Sequence, residues 1–149
     1  MKHKVYLSLG SNMGNRHENI LRACRLIAAQ TGEVGAVSSF LETEPWGFQS
    51  DNMFVNACAE VYTELKPHDL LEATQAIERE MGRTEKSHDG VYHDRIIDID
   101  ILLYDRERIS EPLLTIPHPL MLKRDFVMRP LREILPDASE IVKKILSGK

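Results

Sequence analysis

Hydrophobic and polar positions alternate along residues 4–10, KVYLSLG: Val5, Leu7 and Leu9 fall on one side, Tyr6 and Ser8 on the other. That period of two predicts a β-strand ended by Gly10. SNMGNR then supplies turn and cap residues. From about Arg16 the period lengthens, and Ile20, Ala23, Cys24, Ile27 and Ala28 form the stripe of a helix with Gly32 as its stop. Strands are predicted over about 34–43 and 53–63, joined by the polar EPWGFQSDN. A second helix starts with Pro67 in its first turn, turns Leu70, Leu71, Thr74, Ile77 and Met81 inward, and has Gly82 past its end. A strand over about 95–103 follows.

The order β-α-β-β-α-β predicts an α+β, ferredoxin-like sandwich with a mainly antiparallel sheet. Right-handed crossovers would put both helices on one face and leave the other to a ligand. Beyond 106, LLTIPHPLM reads as a short strand running into a Pro-flanked turn. RPLREIL and SEIVKKIL read as short helices packed along the side of an extended C-terminal region.

The 149 residues fit one domain, 1–149, and 42% hydrophobic against 28% charged residues favours a folded chain over disorder. A net charge of −4 argues against nucleic-acid binding by phosphate neutralisation. Cys24 and Cys58 sit in apolar patterns, as small core residues do, and two cysteines do not make a disulfide framework. No apolar run approaches the roughly 18 residues of a membrane span, so a cytoplasmic protein is the expectation.

Chemistry concentrates in RIIDIDILLYD, residues 95–105. Side chains alternate on a strand, so Asp98 and Asp100 share a face with Cα atoms roughly 7 Å apart, while Ile97, Ile99, Ile101 and Leu103 take the other. Two carboxylates this close repel, and a divalent cation removes the conflict; hard oxygen donors favour Mg²⁺. Taken alone, an exposed face with an aspartate paired to Arg95 explains the pattern equally well. Arg83, Arg95, His118 and Arg124 could grip phosphates, although each by itself is more simply a surface charge or a turn residue. GSNMGN lacks the Gly-Lys-Ser/Thr ending of a phosphate loop, which leaves Gly10 and Gly14 as turns and Asn12 as a loop tie. His88 and His93 have no third partner at zinc spacing.

Taken together, LGSNMGN (9–15), TEPWG (43–47), FVNA (54–57), MGR (81–83), RIIDIDILLYD (95–105), IPHP (116–119) and RDFVMRPL (124–131) resemble the 6-hydroxymethyl-7,8-dihydropterin pyrophosphokinase family over nearly the whole chain. The resemblance implies transfer of pyrophosphate from ATP to a pterin hydroxymethyl group, with release of AMP, in folate biosynthesis. It implies that Asp98 and Asp100 hold two Mg²⁺ ions, and that Arg83, Arg95, His118 and Arg124 grip the triphosphate or close over it. Phe54 and Phe126 match the positions that sandwich the pterin, and Asn56 the amide that reads its edge. Thr43, through its backbone, and Trp46 would line the same pocket. A monomer is expected, with weak association with other folate enzymes in trans.

VYHD at 91–94 departs from the family pattern, and Glu85 and Leu113 stand where some members have arginine. Without the resemblance, Phe54 and Phe126 would be read as ordinary core. The competing readings are a metal-dependent phosphodiesterase using the same aspartates and a non-catalytic binding module.

Overall fold

The computed structural model describes residues 2–44, 53–82 and 96–148. Trp46, Arg83, His88, His93 and Arg95 lie outside the described residues.

The main elements are β1 (His3–Ser11), α1 (Arg16–Gln30), β2 (Gly32–Val37), β3 (Leu41–Thr43), β4 (Phe54–Thr63), α2 (Pro67–Glu80) and β5 (Asp98–Tyr104). The sheet runs β2-β4-β1-β5, with β3 also paired to β4, and these pairings are antiparallel. This is the ferredoxin-like α+β arrangement that the element order predicts. The strand expected over 34–43 is two segments along one edge of β4, from Gly32 opposite Thr63 to Thr43 opposite Phe54.

Alternation builds the inner core. Val5, Leu7 and Leu9 of β1 and Val55, Ala57 and Ala59 of β4 turn one way, and meet Ile20 and Ile27 of α1 and Leu70 and Ile77 of α2. Both helices therefore cover one face, as their apolar stripes require.

Two glycines play other parts than expected. Gly32 does not cap α1: Thr31 does, donating its N–H to the Ile27 carbonyl. Gly32 opens β2, where a Cβ would lie 2.1 Å from the Tyr62 carbonyl oxygen, so only glycine permits the approach. Gly10 does not end its strand. It lies inside β1, opposite Asn56 on one side and Asp98 on the other, and the turn that follows belongs to Gly14 at φ 69°.

The outer face is not wholly open. After the hairpin β6 (Ile109–Ser110) and β7 (Thr115–Ile116) and a 3₁₀ turn at Met121–Lys123, the chain forms α3 (Asp125–Ile134) and α4 (Ala138–Ser147). These helices lie over the outer face rather than along the side. Val127, Met128 and Leu131 of α3, with Val142 and Ile145 of α4, pack on Tyr6, Cys58, Leu102 and Leu103. Leu103 was expected among the inner-face residues, and a register shift explains the difference. Tyr6 pairs with Leu103 but Leu7 pairs with Ile101, so Leu102 is an extra residue that reverses the alternation. Ile97, Ile99 and Ile101 precede the shift and stay in the inner core.

Candidate active site

Past the edge of the two C-terminal helices, the outer face stays open as a cleft. Its floor is polar or small on three neighbouring strands. Gly10 lies between Asn56 and Asp98, and Ser8 between Cys58 and Asp100. Both aspartates line the cleft from β5, half-buried, with Ile99 turned into the core between them.

Glu78 of α2 secures that strand. It is 3% exposed, and its Oε2 accepts the Ile99 N–H at 2.7 Å. Among the described residues β5 is the last strand of the sheet, so this carboxylate takes up an edge amide midway between Asp98 and Asp100. Glu78 escapes the sequence reading, yet an acid on the stripe of Leu70, Thr74 and Ile77 is its visible sign.

The opposite wall comes from β3 and β4. Phe54 and Asn56 point from β4 into the cleft by period two, both buried. Asn56 Nδ2 donates to Thr43 Oγ1 at 2.8 Å, which orients the amide. Its Oδ1 faces Gly10, where a Cβ would come within 3.1 Å of it. Thr43 thus takes part through its hydroxyl as well as lining the cleft, a contact that the expected backbone role does not include.

The roof is the start of α3. Arg124, Phe126 and Val127 line the cleft, with the Arg124 guanidinium 5.6 Å from the centre of the Phe126 ring, within cation–π range. Arg124 is only 7% exposed, so its charge acts in a medium that screens it poorly. Two ties fix α3. Ser39 donates its N–H at 3.0 Å and its Oγ–H at 2.6 Å to the Glu133 carboxylate. The Cys58 thiol, whose pKa burial drives far upward, donates to the Val127 carbonyl at 3.6 Å. The Ser39 hydroxyl and amide hold the Glu133 carboxyl below its ordinary range.

Of the residues singled out from sequence, Thr43, Phe54, Asn56, Asp98, Asp100, Arg124 and Phe126 meet in this one cleft. Among the described residues lining it His118 is not included. Its backbone N–H donates to Leu102 O at 3.1 Å, and its Nδ1 accepts the Leu120 N–H at 3.3 Å, which puts the neutral ring's proton on Nε2. The sequence reading passes over Ser8, Glu44 and Val127, although Ser8 shows as a polar position in the alternation of β1.

Residues 6–136 match the family model described as 7,8-dihydro-6-hydroxymethylpterin-pyrophosphokinase. A 2-amino-4-hydroxy-6-hydroxymethyldihydropteridine pyrophosphokinase of Porphyromonas gingivalis is 53% identical over 133 residues, covering 89% of this chain and 90% of that protein. The enzyme of the same description from Bacillus subtilis is 44% identical, over 90% of this chain and 79% of its own. The wild-type HPPK-DHPS of Plasmodium falciparum superposes with a TM-score of 0.70 at 16% identity, over 89% of this chain; this chain spans 40% of that one, and the likeness is one of fold. On the family match and the 53% identity, the chain belongs to the 7,8-dihydro-6-hydroxymethylpterin-pyrophosphokinase family.

Proposed function

We infer how the cleft divides the work of the family's reaction, transfer of pyrophosphate from ATP to the 6-hydroxymethyl group of the dihydropterin in folate synthesis. The observation that carries the assignment is the convergence of Asp98 and Asp100 with Phe54, Asn56 and Phe126 in one cleft. An acidic pair beside an aromatic and amide wall suits a charged donor next to a flat acceptor.

The wall formed by Phe54, Asn56 and Phe126 receives the pterin. The aromatic rings supply stacking area. The amide supplies a donor and an acceptor for the aminopyrimidinone edge, and Thr43 fixes which way it points. Trp46, outside the described residues, is assigned to the same pocket on the resemblance alone.

Asp98 and Asp100 hold magnesium. The donor set fits: two half-buried carboxylates offer hard oxygens toward the cleft and leave other coordination positions to water and phosphate, as Mg²⁺ requires. When bound, two Mg²⁺ ions neutralise the triphosphate and lower the pKa of the attacking hydroxyl. Arg124, which lines the cleft, grips the phosphates; Arg83, Arg95 and His118 are assigned on the resemblance to join it or to close over them. The pterin oxygen attacks the β-phosphorus, the new O–P bond forms, and the bond to the α-phosphate oxygen breaks to release AMP. Such a transfer asks mainly for positioning and charge neutralisation, which a firmly anchored β5 provides.

On this reading the chain is a single domain and a monomer in the cytoplasm, as the resemblance implies. No helix among the described residues is long and apolar enough to cross a membrane. With pterin, ATP and Mg²⁺, the nucleotide product is AMP in equal amount to pterin diphosphate. Formation of ADP in its place overturns the reading.

A further inference from the structure

At the first residue of α1, one guanidinium reaches two strands. Arg16 Nη2 lies 2.7 Å from Glu42 Oε1 on β3, and Arg16 Nη1 donates to the Met53 carbonyl at 2.9 Å, just before β4 begins. Glu42 and Met53 flank the pair Thr43–Phe54, the last rung of that ladder before the chain leaves it. Both residues of the rung line the cleft.

The base beneath Arg16 is firm. Asn15 caps α1 by accepting the Glu18 N–H at 3.2 Å. Asn19 Nδ2 donates to Ser11 Oγ at 3.1 Å and to the Met13 carbonyl at 2.8 Å, so the turn is tied to the end of β1. Ile20, one turn further along, is fully buried in the inner core. The arm that reaches β3 therefore starts from a fixed point.

β3 needs such a hold. It has three residues, lies at the edge, and pairs only with β4 among the described residues. Short edge segments open at low cost. If β3 opens, Thr43 Oγ1 leaves Asn56 Nδ2, and the amide loses the contact that orients it. We propose that Arg16 is a positioning residue for pterin recognition, which clamps Glu42 and the Met53 carbonyl together and so keeps Thr43 on Asn56. The inference rests on the reading that Asn56 and Phe54 receive the pterin.

Energetics separate this role from a structural one. Arg16 and Glu42 are 27% and 51% exposed at their side chains, and exposed ion pairs contribute little to global stability. The arginine fork spans two acceptors in one plane, whereas a lysine ammonium acts as a single point.

The test compares wild type with Arg16→Met, Arg16→Lys and Asn56→Ala, measuring KM for pterin and for ATP, melting temperature, and amide exchange in β3. In Arg16→Met the pterin KM rises about tenfold as orientation is lost. The ATP KM stays within about twofold, Tm shifts by only a few degrees, and the β3 amides exchange faster while those of β1 do not. Arg16→Lys falls between the two. An unchanged pterin KM in Arg16→Met overturns the proposal, as does a parallel rise in both KM values or a failure of that variant to fold. Asn56→Ala keeps the two levels distinct. If it leaves the pterin KM unchanged, the pterin assignment is wrong; if it raises the KM and Arg16→Met does not, only the clamp is wrong.

Discussion

The outer face of the sheet has two ends built on the same strands, and they serve opposite purposes. At one end Tyr6, Cys58, Leu102 and Leu103 are sealed beneath α3 and α4. At the other, Ser8, Gly10, Asn56, Asp98 and Asp100 form the floor of the cleft. The step between them on β1 is one strand period, the two positions from Tyr6 to Ser8, and on β5 it crosses the extra residue Leu102. The sealed end holds the C-terminal helices, and they carry Arg124 and Phe126 to the open end. Stability and chemistry are thus neighbours on one face, and they should separate under mutation.

The largest expected effect lies at the open end. Asp98→Ala or Asp100→Ala should lower kcat on the order of 10³-fold by removing a ligand of the Mg²⁺ that neutralises the reacting phosphates, with little change in Tm. Steady-state turnover and thermal unfolding check both halves. Near-normal turnover would reject the metal assignment, and a collapse of the fold would show that the two ends are not separable. Leu131→Ala at the sealed end should do the reverse. The residue is fully buried, and the loss should cost about 2–5 kcal/mol in denaturant unfolding. At saturating substrate its kcat should stay within a few-fold of wild type while the chain remains folded.

Gly10→Ala probes the floor directly. Its Cβ would sit 3.1 Å from Asn56 Oδ1, and the amide is held on its other side by Thr43, so it has little room to give. Pterin KM should rise several-fold while stability falls by about 1 kcal/mol. An unchanged KM would show that the Asn56 carbonyl does not face the pterin.

Much of this contrast is legible from the sequence, and what is not has specific causes. Period two puts Asp98 and Asp100 on one face, because β5 is regular up to Ile101. The reading fails at Leu103, since a bulge leaves no mark in an apolar run where Leu102 and Leu103 fit either face. Gly10 looks like a stop because glycine usually is one; its use inside a strand depends on a partner, Asn56, far along the chain. The stripes of α3 and α4 announce burial, but a stripe does not say which surface covers it, so their place over the outer face follows only from the fold. Phe54 and Phe126 are a similar case. Their aromatic character is plain, and only the cleft shows that they face one space.

The smallest effect should come from the tie between α3 and the segment before β3, Glu133 to Ser39. The Ser39 hydroxyl and backbone N–H donate to the Glu133 carboxylate and lower its pKa from the ordinary 4.5. A carboxylate whose folded pKa is depressed adds stability that is complete above the unfolded value and is lost as pH falls through the folded one. The wild-type advantage over Glu133→Gln should therefore be constant from neutral pH down to about 5 and shrink only in more acid solution. Because the carboxylate is exposed to solvent, the difference in unfolding free energy should be the least of this series, and added salt should reduce it. Urea unfolding of both proteins across that pH range measures it. A difference that grew on acidification would mean that Ser39 favours the protonated acid, and α3 would then owe its place to the sealed apolar contacts alone.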